Sequence, residues 1–278
     1  MPADSSIFPV FRPWNDKTAQ DSDHWLHVVE IPKRVRVIFG DETIADSRRV
    51  LLLREAHCLP VYYFVKDDVR ADLLTPTDFK APCPYKGAAS HWTLKVRERV
   101  AENAAWSYVD PPADCAAIKG YFSFEWAKMD RWHEEEEEVF VHARDPYKRI
   151  DALQSSRHVR VEIAGETIAE THRPTVVIEP GHPLRYYIPT EDLHMDVLEP
   201  SPTRSRCPYK GIAAYWSAWL HGKRYTDICW SYVEPTRESL KIKDLVCFFQ
   251  ERDAVIHVDG EQLPALRTKW SRREGSKQ

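Results

Sequence analysis

Hydrophobic and polar residues alternate in short runs along this chain, and the runs come twice. Val35, Val37 and Phe39 alternate with Arg36 and Ile38, just as Val159, Val161 and Ile163 alternate with Arg160 and Glu162. A period of two marks a strand with one buried face. Two-residue connections follow, "GD" at 40–41 and "AG" at 164–165, each with a glycine able to take positive φ. Second strands "ETIADS" and "ETIAET" come next, then the apolar runs "VLLLRE" and "TVVIEP". "VYYFV" and "RYYIP" each set two tyrosines on opposite faces of one strand. Farther on, Trp92, Leu94 and Val96 alternate with Thr93 and Lys95, and Trp216 opens the matching strand. "NAAWSYV" and "DICWSYV", a proline-containing bend, "YFSFEW" or "LVCFF", and finally "EVFVH" and "AVIHV" complete each series.

Short strands at spacings of roughly ten residues predict a mainly β chain. The expected fold is two tandem copies of a compact β-sandwich or partly open, tent-like β-barrel. Helix is expected only at 111–118, at 236–241 and in part of the N-terminal segment.

The copies are related by a fixed offset. "CPYKGAASHW" (83–92) returns as "CPYKGIAAYW" (207–216), and "WSYVDP" (106–111) as "WSYVEP" (230–235). "VRVIFGDETIADS" (35–47) matches "VRVEIAGETIAET" (159–171), again 124 positions on. An unchanged offset over so long a span means tandem duplication. The expected organisation is an N-terminal extension (1–30), a first repeat (31–142), a docked linker (143–157), a second repeat (158–262) and a basic tail (263–278).

Composition narrows the function classes. The chain has 278 residues, 43% hydrophobic and 29% charged, with ten Trp, which is globular and too aromatic for disorder. A net charge of −4 with interleaved signs shows no basic stripe, so nucleic acid is not an expected partner. The apolar runs are far too short to cross a bilayer, so no membrane partner is expected. The N-terminal residues lack the basic and apolar regions of a signal peptide. Six cysteines without a C-x-x-C pair remove the usual zinc and redox spacings and predict reduced thiols in a cytoplasmic protein. Five consecutive glutamates (134–138) read as a solvated turn or edge, without the spaced Asp, Asn and Gly of a calcium loop. Neither metal nor cofactor is expected.

The candidate chemistry lies in the Cys-Pro-Tyr-Lys-Gly turn. Proline presets φ for the turn, and the glycine after it supplies a permissive dihedral. The turn would bring Cys83 near Lys86, and Cys207 near Lys210, with Tyr85 and Tyr209 projecting between them. A nearby ammonium favours thiolate, and a phenol can donate a proton. Cys83, Tyr85, Lys86, Cys207, Tyr209 and Lys210 are therefore candidate catalytic residues. The alternative is architecture: a small core cysteine, a buried tyrosine ring and a lysine paired with Glu55 or Glu179. Covalent cysteine catalysis lacks a base, since His91 faces Tyr215 in the repeat. Other repeated residues would line the same hollow. They are Arg36 and Arg160, Arg49 and Arg173, Glu55 and Glu179, Tyr63 and Tyr187, His91 and Tyr215, Trp92 and Trp216, Trp106 and Trp230, and Tyr108 and Tyr232. Aromatic walls with a few charges are the general form of a small-molecule site.

The motif C-P-Y-K-G-x-A-x-Y-W followed by W-x-Y resembles the domain family of unknown function numbered 427. The likeness spans residues 31–262 and includes "VFVHARDPY" at 139–147. It implies a compact β-rich domain in tandem and no established activity. A nucleotidyltransferase-like label goes with the family, although the sequence carries no phosphate-cradling glycine loop or paired metal-binding aspartates. His91 departs from the family's tyrosine, which Tyr215 retains, so the second repeat is the expected working site. The leading functional expectation is a small-metabolite-binding protein, extending to cofactor-independent acid–base, lyase, isomerase or cyclase chemistry. A non-catalytic tandem protein-interaction module and a nucleotidyltransferase-like activity are the alternatives.

Overall fold

A computed structural model of the chain describes residues 24–268, 270 and 271. These fall into two compact units that divide between Tyr147 and Lys148. Both units are mainly β. Helical structure among the described residues is confined to short 3-10 turns, including Ala113–Ile118 and Arg237–Ile242 where sequence places helix. The expected N-terminal helix lies outside the described residues. No described helix is long and apolar enough to cross a membrane.

The first unit contains β1 (Leu26–Ile31), β2 (Val35–Phe39), β3 (Glu42–Ser47), β4 (Val50–Glu55), β5 (Val61–Tyr63) and β6 (Leu74–Cys83). It continues with β7 (Gly87–Val96), β8 (Arg99–Tyr108), β9 (Phe122–Phe124), β10 (Arg131–Glu134) and β11 (Glu137–Val139). Its sheets run β1-β4-β5, β11-β10-β2-β3 and β6-β7-β8-β9. A single bridge, Phe64 with Phe122, links the first to the third.

The second unit repeats the series as β12 (Asp151–Gln154), β13 (Val159–Ile163), β14 (Glu166–Thr171), β15 (Thr175–Ile178), β16 (Arg185–Ile188) and β17 (Leu198–Cys207). It ends with β18 (Gly211–Leu220), β19 (Lys223–Pro235), β20 (Val246–Phe248), β21 (Ala254–Val258) and β22 (Glu261–Gln262). Here β16 pairs directly with β20, which fuses two of the sheets into one of order β12-β15-β16-β20-β19-β18-β17. The remaining sheet is β14-β13-β21-β22, and among the described residues no sheet closes into a barrel. The segment that reads as a linker thus contains β12, the counterpart of β1, paired along β15.

Each sheet built on β4 or β15 buries both faces, which is why those strands read as unbroken apolar runs. Val50 and Leu52 enter one cluster with Tyr62, while Leu51 and Leu53 enter another with Tyr63. In the second unit Val176 and Tyr186 fall on one side, Val177 and Tyr187 on the other. Adjacent tyrosines therefore serve two separate cores. The candidate site grows from the Tyr63 and Tyr187 sides.

Candidate functional site

The Cys-Pro-Tyr-Lys-Gly motif forms a hairpin tip. Cys83 pairs with Gly87 across β6 and β7, and Cys207 with Gly211 across β17 and β18, leaving Pro-Tyr-Lys as the loop. The glycine is required by geometry, because Gly211 has φ +98 and a Cβ there would stand 2.1 Å from the Glu234 carbonyl oxygen. The tip is tied to the 3-10 turn that follows β19. Thr236 Oγ1 and Ser239 Oγ donate to the Tyr209 carbonyl at 2.7 and 3.1 Å.

From this base the lysine turns inward. Lys86 and Lys210 are buried and form ion pairs with Glu55 and Glu179. A second nitrogen partner completes each group. His24 Nε2 lies 3.0 Å from Glu55 Oε1, and Lys148 Nζ lies 2.7 Å from Glu179 Oε1, with His182 Nδ1 at 3.5 Å. His24 and Lys148 are themselves 124 positions apart. The tyrosine covers this second partner: Tyr85 stacks on His24 with centroids 3.3 Å apart, and Lys148 Nζ lies 5.1 Å from the Tyr209 ring centre. The phenol and the amine of the motif thus lie on either side of the glutamate's partners, not around one hollow.

Burial would raise the Glu179 carboxyl, but Lys210, His182 and Lys148 together hold it down to about 2. The Glu55 carboxyl is also held low, against burial, by Lys86 and His24. Cys83 packs beside Tyr108 in the Tyr63 cluster, and Cys207 beside Tyr232 in the Tyr187 cluster. Burial first, and then the neighbouring cysteine, pushes the Tyr108 and Tyr232 hydroxyls up. Tyr63 and Tyr187 are pushed up by burial too, while accepting indole N–H bonds from Trp106 and Trp230 at 3.3 and 3.2 Å.

In the first unit these groups line an open cleft of about 310 Å³. Glu55, Lys86, Tyr63 and Tyr108 provide its polar floor, and Leu53, Val61, Ala81, Ala89, Trp106 and His91 its walls. Cys58, Leu59 and Glu125 complete the rim. Cys83 and Tyr85 do not line it.

The second unit treats the equivalent positions differently. Phe249 stands where the first unit has Glu125, packed 4.2 Å from Trp230 and stacked with Tyr215. Arg185 replaces Val61; it pairs with Glu251 and lies over Trp230 and Trp270 at 5.4 and 5.8 Å. Trp230 is buried, whereas Trp106 is half-buried. Sequence favoured the second repeat because Tyr215 keeps the family's residue. The first unit carries the open cleft described above, lined by Glu125 and Val61 at the positions that Phe249 and Arg185 take in the second unit.

Several expected residues sit elsewhere. Arg36 pairs with Glu136, Arg49 with Asp68, Arg160 with Glu162, and Arg173 with Glu191 and Asp192. Trp92 and Trp216 pack on the opposite cores, those of Tyr62 and Tyr186. Their alternation with polar neighbours was a strand signal, and the buried face it marked is not the cleft's. His24, Lys148, Cys58, Val61 and Glu125 were missed. The fixed offset pairs His24 with Lys148, but unlike residues at matched positions give no motif.

No curated protein matches the chain. The model for a domain of unknown function, DUF427, matches residues 27–135 and again residues 151–261, and the chain belongs to that family as a tandem-repeat member.

Proposed function

We propose that this is a small-molecule-binding protein whose working site is the first-unit cleft above the Lys86–Glu55 pair. One contrast carries the reading. Both units keep the hairpin tip and its ion pair, and in the first an opening of about 310 Å³ lies against the pair with Glu125 and Val61 in its lining, where the second carries Phe249 and Arg185. That volume falls at the lower end of small-ligand sites, which span roughly 300–1,000 Å³. The lining also has their usual composition, apolar and aromatic with a few fixed polar groups.

The polar groups suit binding better than proton transfer. Lys86 and His24 hold the Glu55 carboxyl low against burial, and burial pushes the Tyr63 and Tyr108 hydroxyls up. A general acid or base works best with a pKa near the operating pH, and these groups are moved away from it. They act as fixed charge and hydrogen-bond donors. The six cysteines stand as free thiols, which fits a reducing compartment such as the cytoplasm.

Cys58 on the rim offers a test. Small aromatic fragments at saturating concentration should slow its reaction with a thiol reagent, and Glu125→Phe, which installs the second unit's residue, should abolish that protection. Labelling of Cys58 at the same rate with every fragment would overturn the reading.

A further inference from the structure

We infer that the first-unit cleft takes an arylalkylamine, a flat aromatic ring carrying a basic nitrogen on a short chain. This rests on the cleft reading above and adds the ligand's class. Two independent observations support it, one for the ring and one for the nitrogen.

The ring follows from the second unit, which supplies an occupant of its own. The Trp270 indole packs on the Tyr187 cluster, 5.4 Å from the His182 ring and 5.8 Å from the Arg185 guanidinium. His182 and Arg185 are the counterparts of Cys58 and Val61, both of which line the first-unit cleft. The segment beyond β22 is fastened there, with Thr268 Oγ1 donating to Glu251 at 3.0 Å and Arg252 Nε to the Trp270 carbonyl at 3.4 Å. An indole thus lies against the equivalent positions in the unit whose own chain provides one. In the first unit Trp106 and His91 are the aromatic rings of the lining against which a ligand's ring would pack.

The nitrogen follows from charge. The cleft lining carries two carboxylates, Glu55 and Glu125, against one ammonium, Lys86. Glu55 is engaged by Lys86 and His24, whereas Glu125 has no cation partner among the described residues. At the second unit's matching positions the bias reverses, with Phe249 for Glu125 and Arg185 for Val61. Burial pushes the His91 imidazole down, so it adds no opposing charge near neutral pH. Its buried Nδ1 has no hydrogen-bond partner. A protonated amine at the rim would face Glu125, with the Trp106 face close by for a cation–π contact.

Tryptamine, indole and indole-3-acetate share one ring and differ in charge, so titrating each into the full chain separates the two halves of the inference. The Trp106 indole N–H resonance reports occupancy of the cleft. Tryptamine should bind more tightly than indole-3-acetate by about fivefold, the scale of one solvent-exposed ion pair. Glu125→Gln should reduce the difference and Glu125→Lys should invert it. Equal or tighter binding of the acid in the wild type would overturn the amine while leaving the cleft reading intact. Binding of n-butylamine as tight as that of tryptamine would overturn the ring. The absence of a saturable shift with all of them would overturn the inference and the cleft reading together.

Discussion

Lys86 and Glu55 meet as a part-buried ion pair across 31 positions of sequence, and Lys210 and Glu179 repeat the meeting as a buried one at the same separation. The pair explains why the motif keeps a lysine in both copies. A lysine at the hairpin tip neutralises a glutamate at the end of the doubly buried strand, and in the first unit the pair links two separate sheets.

Removing one partner leaves the other charge buried. Lys86→Met should cost about 1–3 kcal/mol, because the part-buried Glu55 then retains only His24. Lys210→Met should cost less, since Lys148 still sits 2.7 Å from Glu179. Adding Glu55→Gln to Lys86→Met should recover much of the loss. Urea denaturation of the three variants checks the order, and equal losses in Lys86→Met and Lys210→Met would contradict it.

Acid should weaken the second unit through Glu179. Its carboxyl falls from an ordinary value of 4.5 to about 2 in the folded chain. A folded value below the unfolded one stabilises the fold fully above the unfolded pKa, and the gain disappears as pH drops from there to the folded value. The shift corresponds to about 3 kcal/mol. The stability gap between the wild type and Glu179→Gln should therefore be widest near neutral pH and close toward pH 2, as followed by urea midpoints. A gap that stays constant across that range would refute the assignment.

Gly211 should be the least replaceable glycine of the hairpins. Alanine there keeps the strained φ of +98 and meets the Glu234 carbonyl at 2.1 Å. At Gly165, with φ +84 and open space around it, only the backbone term of about 1–3 kcal/mol applies. Thermal melting of Gly211→Ala and Gly165→Ala should show the larger loss for Gly211, and the reverse order would count against the close approach.

The strands, the duplication and the hairpin tip were legible in the sequence, because they rest on local periodicity, turn chemistry and a fixed offset. The contact of Lys86 with Glu55 was legible as one alternative, since both residues recur. Direction was not. The sequence put Tyr85 beside the amine, whereas its ring turns outward onto His24. Nor did repetition separate site from surface. Arg49 and Arg173 recur because each pairs with an aspartate, Asp68 or Asp192, that recurs with it. Part of the cleft's lining was invisible for the opposite reason: Glu125 and Val61 fall where the copies differ, and a search for matched residues passes over both.

The most direct measurement follows the Trp106 and Trp230 indole N–H resonances while a set of small aromatic fragments is titrated into the full chain and its Glu125→Phe variant. A cleft confined to the first unit should give a saturable shift at Trp106 in the wild type, little change at Trp230, and no Trp106 shift in the variant. Movement at Trp230 in place of Trp106, or stillness at both, would contradict it.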